Sequence, residues 1–249
     1  MTALRMQGVG HAYFGRTTLD AISLEIGPAE IVALVGPSGC GKSTLVHIAC
    51  GLVEPLRGRV RRAYRRHGMV FQEPRLLPWA TAGDNITYPL RLAGVSSPDR
   101  CASLREVAAR VSLEEADLAK FPVELSGGMR QRAAIARALA AKPDFVFFDE
   151  PFTALDVALK RRMQDLVIAA AREASFAALF VTHDLAEAVR IAHRILVLDS
   201  RGRGIAGART VPLAPGERDD ATVFAAVRRF LHDDPIFREI HKVDERRLV

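Results

Sequence analysis

The chain has 249 residues, 49% of them hydrophobic and 26% charged, enough for a sizeable core and compatible with one α/β domain. No apolar run approaches the roughly eighteen residues of a membrane span, and Met1 to Gly10 lacks the apolar centre of a secretory leader, so neither is expected. The three cysteines, Cys40, Cys50 and Cys101, are scattered and odd in number, which argues for reduced thiols in the cytosol over a disulfide framework. Net charge is +6, but six arginines and no acid lie between Arg57 and Arg66, so that run alone accounts for the excess. A solvated edge of a small antiparallel sheet is its favoured reading, ahead of a nucleic-acid patch or a contact with anionic lipid headgroups.

In chain order, residues 1–35 read as short strands. Leu19 to Ile26 alternates with period two and ends at the turn Gly27-Pro28. The apolar run Ile31 to Val35 then leads into Gly36-Pro37-Ser38-Gly39-Cys40-Gly41-Lys42-Ser43-Thr44, followed by a helix-like segment from Leu45 to Cys50. Strand, glycine-rich turn and helix around G-x-x-x-x-G-K-[ST] make a phosphate loop. Gly36, Gly39 and Gly41 let successive N–H groups point inward, and the positive end of the next helix adds to that field. Lys42 places a point charge on the terminal phosphates and the Ser43 hydroxyl can ligate Mg²⁺, so a nucleoside triphosphate is the expected ligand. Cys40, close to Lys42 and to a helix start, is expected to have a lowered thiol pKa and to be alkylated with loss of activity, ATP protecting.

The segment from Arg57 to Phe71 returns through strands that end at Gln72. Residues 73–142 look mainly helical: Ser97-Pro98 caps a segment to about Val111, a second start lies near Leu113-Glu114-Glu115, and Ser126 caps the run from Met129 to Ala141. Phe145 to Phe148 is the continuous apolar run of a parallel strand buried on both faces, and it ends in Asp149-Glu150. Asp156 caps a long helix to about Ala174. Phe176 to Val181 is a further buried strand ending at Thr182-His183, Asp184 to Ala192 is helical, and Arg194 to Leu198 is a strand again. Strands alternating with helices predict a mostly parallel sheet. In the tail, Val223, Phe224, Val227, Phe230 and Leu231 recur at helical spacing, followed by Pro235 and a second short apolar-faced stretch. Packing on its own domain is the expectation there, with dimer contact or regulation as alternatives.

Ligands of open α/β sheets sit beyond the carboxyl ends of the strands, where Asp149 and Glu150 fall. Asp149 is the candidate Mg²⁺ partner through water, and Glu150 the group that polarises an attacking water.

Leu125-Ser126-Gly127-Gly128-Met129-Arg130-Gln131-Arg132 resembles the LSGGQ signature of ATP-binding cassette (ABC) ATPases, with Met129 at the variable position. Other motifs of that family fall in order. Gln72 resembles the Q-loop glutamine, Ala154-Leu155-Asp156 the D-loop, His183 the switch histidine, and Tyr13 the aromatic residue that stacks on adenine; a core aromatic at Tyr13, or Phe14 as the stacking ring, are the alternatives. The resemblance spans about Leu4 to Asp199. It implies a P-loop NTPase core with a mostly parallel sheet, a small antiparallel β subdomain and a helical subdomain inserted at about 76–140, the ATPase domain covering 1–215 and a short helical extension 216–249. It further implies ATP with Mg²⁺, held by two copies head to tail. Lys42 and the amides of residues 36–44 hold the phosphates; Ser43, Gln72 and Asp149 serve the metal; Glu150 and His183 organise the water. Ser126, Gly127, Gly128 and Gln131 of the other copy, with Asp156, complete the site.

Phe71 to Trp79 closely resembles the nitrate/sulfonate/taurine group of importer ATPases, in which Leu76, Leu77 and Trp79 would line a groove for a helix of a separate membrane permease. Closing the core of the helical subdomain is the alternative for these three. The stretch between Gly58 and Met69 departs from the group, being arginine-rich and short. The resemblance implies a peripheral subunit on the cytoplasmic face of the inner membrane, working with permease subunits and a periplasmic solute-binding protein, with no nucleic acid expected. The rivals are a soluble ABC ATPase acting on nucleic acid or ribosomes, whose usual coiled coils or paired cassettes are not seen, and a P-loop kinase, which gives no reason for Leu125 to Arg132.

Overall fold

The computed structural model describes residues 2–237, in two compact units: one from the chain before Arg65 and after Ala174, the other from Arg65 to Ala174. The first unit opens with β1 (Leu4–Tyr13) and β2 (Arg16–Ile26), antiparallel from Leu4↔Ile26 to Tyr13↔Arg16. Both are longer than the short strands expected. Irregular register between Met6 and Val9 changes the inward spacing on β1 from Leu4 and Met6 to Val9, which breaks the period-two pattern that would reveal it. After β3 (Ile31–Val35), buried throughout, come α1 (Lys42–Cys50) and β4 (Arg57–Arg62). β4 pairs antiparallel with the free side of β1, giving the order β2-β1-β4. The basic run thus begins on the edge of a small antiparallel sheet, as expected. Arg62 donates from Nε to the Ala49 carbonyl at 2.8 Å and from Nη2 to that of Ile48 at 2.6 Å, closing the C-terminal end of α1.

The second unit runs through β5 (His67–Val70), α2 (Ala82–Leu92), α3 (Ser97–Arg110), α4 (Glu115–Leu118), a 3₁₀ turn at Pro122–Glu124, α5 (Gly127–Ala140), β6 (Phe145–Asp149) and α6 (Val157–Ala174). β5 and β6 are parallel, from His67↔Phe145 to Val70↔Phe148. Gly68 permits close packing of α5 on β5, since a Cβ there would stand 2.7 Å from the Ala138 carbonyl oxygen. Helix α3 starts one residue earlier than expected: the Ser96 hydroxyl, not Ser97, accepts the Asp99 N–H. Ser126 caps α5 as expected, accepting the Met129 N–H.

The chain then returns to the first unit with β7 (Ala177–Val181), α7 (Leu185–Ile191), β8 (Arg194–Leu198), β9 (Ile205–Thr210) and α8 (Asp220–Asp233). β3 lies between β7 and β8, parallel to both, and β9 adds antiparallel to β8. Val223 and Phe230 of α8 are buried, and the Phe230 ring meets Phe237 at 4.9 Å, so this part of the tail packs on its own unit. Residues 238–249 of the expected extension lie outside the described residues. The fold class is the expected one: α/β with mostly parallel strands, a small antiparallel sheet and helices.

Candidate nucleotide-binding site

In the first unit, β3 delivers its last residue into the turn Gly36–Gly41, and α1 begins at Lys42. Gly41 has φ 101°, and a Cβ there would meet Leu19 Cδ2 at 2.8 Å and the Thr18 carbonyl oxygen at 3.0 Å, so only glycine lets the loop turn into the helix. The Lys42 side chain is 6% exposed, and its ammonium donates to the Gly36 and Pro37 carbonyls at 2.8 and 3.0 Å. Those bonds fold the lysine back over the start of the loop. Ser38, Gly39 and Ser43 are exposed, and Thr44 is half-buried.

His183 belongs to the same edge. The Thr182 N–H donates to the Leu34 carbonyl at 3.3 Å, so β7 ends beside the end of β3 and His183 emerges next to the loop, exposed. Its turn is fixed from below. Buried Thr182 donates its hydroxyl to Glu187 at 2.6 Å and accepts the Asp184 N–H at 3.0 Å, while Asp184 caps α7. Tyr13, at the end of β1, is 42% exposed and meets His11 edge-on at 4.7 Å; it is not the core aromatic of the alternative. Phe14 is fully exposed at the hairpin tip.

Cys40 corrects an expectation. Its side chain is 3% exposed, with Sγ against the Gly36 backbone, and burial pushes the thiol above its ordinary value although the Lys42 charge pulls the other way. The sequence shows the cation and the helix start, both of which favour thiolate, but not the packing that outweighs them. Cys40 is therefore expected to serve the loop through its backbone and not as a reactive thiol.

In the second unit, the register Val70↔Phe148 brings the ends of β5 and β6 side by side, so Gln72 and the pair Asp149-Glu150 leave one edge together. Gln72 is exposed, Asp149 is 4% exposed and Glu150 is half-buried. Glu150 holds a left-handed backbone, φ 47°, an unfavourable state for a residue with a side chain and one found at functional turns. Ser126 is exposed with Gly127 and Gly128 half-buried behind it, so the first turn of α5 presents backbone N–H groups outward. Asp156 is exposed and accepts the Leu159 N–H at 2.9 Å, capping α6 as expected. Gln131 departs from its expected nucleotide contact: it is 1% exposed, and its amide donates to the Phe71 carbonyl at 3.2 Å.

The family model described as ABC transporter matches residues 19–153. The chain belongs to the ABC transporter family. The aliphatic sulfonates import ATP-binding protein SsuB 1 of Xanthomonas axonopodis is 37% identical over 240 residues, covering 93% of this chain and 94% of that protein. The SsuB 1 protein of Rhizobium johnstonii is 42% identical over 204 residues, covering 79% and 74%. Among solved structures, the dimeric post-hydrolysis state of an ATP-binding cassette bound to ADP and Pi superposes with a TM-score of 0.78 at 29% identity, covering 84% of this chain and 99% of that one.

This ABC protein is an ATPase that uses ATP with Mg²⁺. Among the described residues, no group of three or more His, Cys, Asp or Glu could hold a metal ion by itself. Mg²⁺ with nucleotides is held through a hydroxyl, water and phosphate oxygens; the first unit by itself offers the exposed Ser43 hydroxyl to such a cation, and the second by itself offers Gln72 and Asp149.

Several supporting residues of this ABC subunit were not legible as such. On α5, Arg137 donates to the carbonyls of Arg75 and Pro74 at 2.8 and 2.9 Å, and with Gln131 it fixes the stretch after Gln72. On α2, fully buried Asn85 accepts the Leu77 N–H at 2.7 Å and donates to the Leu77, Ala80 and Thr81 carbonyls. Trp79, inside that stapled turn, is 75% exposed, while Leu76 and Leu77 are half-buried. The available signal was an asparagine on the inward stripe Ala82, Asn85, Ile86, Leu90, where a buried amide needs partners.

Proposed function

We propose that this chain is the ATP-hydrolysing subunit of an importer for aliphatic sulfonates or a similar small solute such as taurine or nitrate. The observation that carries the reading is similarity, along 93% of the chain, to a protein named for aliphatic sulfonate import. No helix among the described residues is long and apolar enough to cross a membrane, so the translocation path would belong to separate permease subunits, and the chain would sit peripherally at the cytoplasmic face of the inner membrane. A periplasmic solute-binding protein would deliver the solute.

In this reading two copies meet head to tail, and the triphosphate is gripped from both. Lys42 neutralises phosphate charge, the backbone N–H groups of residues 36–44 other than Pro37 donate to phosphate oxygens, and Tyr13 stacks on the base. Glu150 accepts a hydrogen bond from the attacking water, polarising it, and His183 orients it. The Ser126 hydroxyl and the amides at Gly127 and Gly128 of the other copy bind the γ-phosphate, with Asp156 lining the seam. Breaking the β–γ bond removes the group that both copies hold, so closure is tied to bound ATP and opening to its hydrolysis. The turn bearing Leu76, Leu77 and Trp79 would transmit that motion to the permease; the exposure of Trp79 on a turn anchored from α2 supports this.

Uptake tests the reading directly. Reconstituted with its permease and solute-binding protein, the subunit is expected to drive ATP-dependent accumulation of labelled ethanesulfonate or taurine. ATP turnover without accumulation of either, or of nitrate, overturns the solute assignment.

A further inference from the structure

Strand β4 carries Arg57, Arg59 and Arg61, all exposed; Arg59 and Arg61 leave one face of the sheet about 7 Å apart, and Arg57 precedes an irregularity at Gly58, where φ is 82°. Among the described residues none of the three takes part in an ion pair or a side-chain hydrogen bond. Their neighbours differ. Arg5, opposite Arg61 on β1, is paired with Glu25 at 2.8 Å, and Arg62 is engaged with the end of α1. Of the arginines on β1 and β4, only Arg57, Arg59 and Arg61 are left without a side-chain partner among the described residues. At one end of the row, Leu52 and Leu56 are 58% and 66% exposed, and the Leu56 N–H is tied to the Gly10 carbonyl at 2.9 Å. Glu54 is the only acid in this stretch.

We propose that this sheet edge rests on an anionic bilayer surface, with the three guanidinium groups among lipid phosphates and Leu52 and Leu56 dipping toward the glycerol level. Arginines beside exposed leucines have the composition of an interfacial contact. A platform for single-stranded nucleic acid needs stacking aromatics, and the only aromatic residue from 52 to 64, Tyr64, is half-buried with its hydroxyl bonded to the Ala49 carbonyl. A hollow of about 160 Å³ lies beside Arg57, but Asp20 lines it along with His11 and Thr17, and that carboxylate makes it a poor seat for a single phosphate. Recognition is thus diffuse and follows bilayer charge density more than headgroup shape.

Co-sedimentation of the purified full chain with protein-free vesicles reads this without any importer activity, so failure of the sulfonate reading leaves it intact. Binding is expected to phosphatidylglycerol vesicles and equally to phosphatidylserine at matched charge, to be absent with phosphatidylcholine, and to be screened by salt. Each arginine near such a surface is worth about fivefold in partition, so Arg57→Gln/Arg59→Gln/Arg61→Gln should weaken binding about a hundredfold with melting temperature and ATPase rate unchanged. Equal sedimentation of the variant and the parent, equal binding to neutral vesicles, or loss of vesicle binding to a single-stranded oligonucleotide held by the same arginines more tightly would overturn it.

Discussion

Lys42 is a buried cation whose hydrogen-bond partners, the Gly36 and Pro37 carbonyls, are neutral. Such a charge is held against its desolvation cost, and a polyphosphate supplies the counter-charge that two carbonyls do not. Removing it as Lys42→Ala is expected to weaken ATP about a hundredfold in a binding titration, taking charged hydrogen bonds at about 1.5–3 kcal/mol each. Unchanged affinity would mean the loop amides suffice. Cys40 leads to the opposite kind of expectation. It is buried with a raised thiol pKa while Cys101 is exposed, so a thiol reagent at neutral pH should modify Cys101 fast, and Cys40 and Cys50 only after unfolding, with ATPase activity retained after the first equivalent. Fast modification of a second thiol, slowed by ATP, would restore the reactive cysteine. The phosphate-loop pattern was legible because its glycines, lysine and hydroxyl are contiguous. The state of Cys40 was not, because what covers it is three-dimensional packing.

At the scale of elements, termini were read well where a cap is local, as with Ser126 for α5, Asp156 for α6 and Asp184 for α7. Strand order and staples between distant segments were not, since nothing near Arg218 announces that it donates to the carbonyls of Val189 and Ala192 at the end of α7. The 77–81 turn is another such case, and it separates stability from coupling. Asn85→Ala removes four hydrogen bonds and orphans the turn, so a loss of about 2–4 kcal/mol in denaturant unfolding is expected. Trp79→Ala should leave unfolding nearly unchanged and weaken permease capture tenfold or more; capture at parental strength would place the permease elsewhere. The start of β3 has its own pH dependence. The Ile31 N–H donates to His193 Nδ1 at 3.0 Å, and burial first, then the Arg218 charge, lowers the His193 pKa from its ordinary 6.5, with Glu30 opposing. A depressed histidine pKa means that the unfolded chain binds the proton more readily. Its contribution to stability is therefore full above about pH 6.5 and is lost as pH falls through the lower folded value. Urea midpoints from pH 8 to 5 should fall less steeply for His193→Asn, which keeps an acceptor but cannot titrate; parallel slopes would assign the dependence to other groups.

For the whole molecule, the sequence contains two glycine-rich turns proposed to bind anions, residues 36–44 and 126–128, with one nucleotide held by the first turn of one copy and the second turn of another. The dimeric cassette that this chain resembles makes two copies the natural case. Gly127 allows a direct experiment, because a Cβ there meets nothing in its own chain closer than Arg130 at 3.9 Å and its backbone is not left-handed. Gly127→Ala should therefore fold and bind ATP normally, yet place a methyl group where a second copy's triphosphate must approach. In a Glu150→Gln background, which should stop turnover and trap ATP-bound dimers in gel filtration, either Gly127→Ala or Lys42→Ala alone should abolish the dimer. Mixed together they should restore part of it, since a head-to-tail pair then contains one site with an intact loop from the first variant and an intact signature from the second. A mixture that stays monomeric with ATP, while the Glu150→Gln parent dimerises, would show that both defects must be absent from the same chain, and the head-to-tail arrangement would fall.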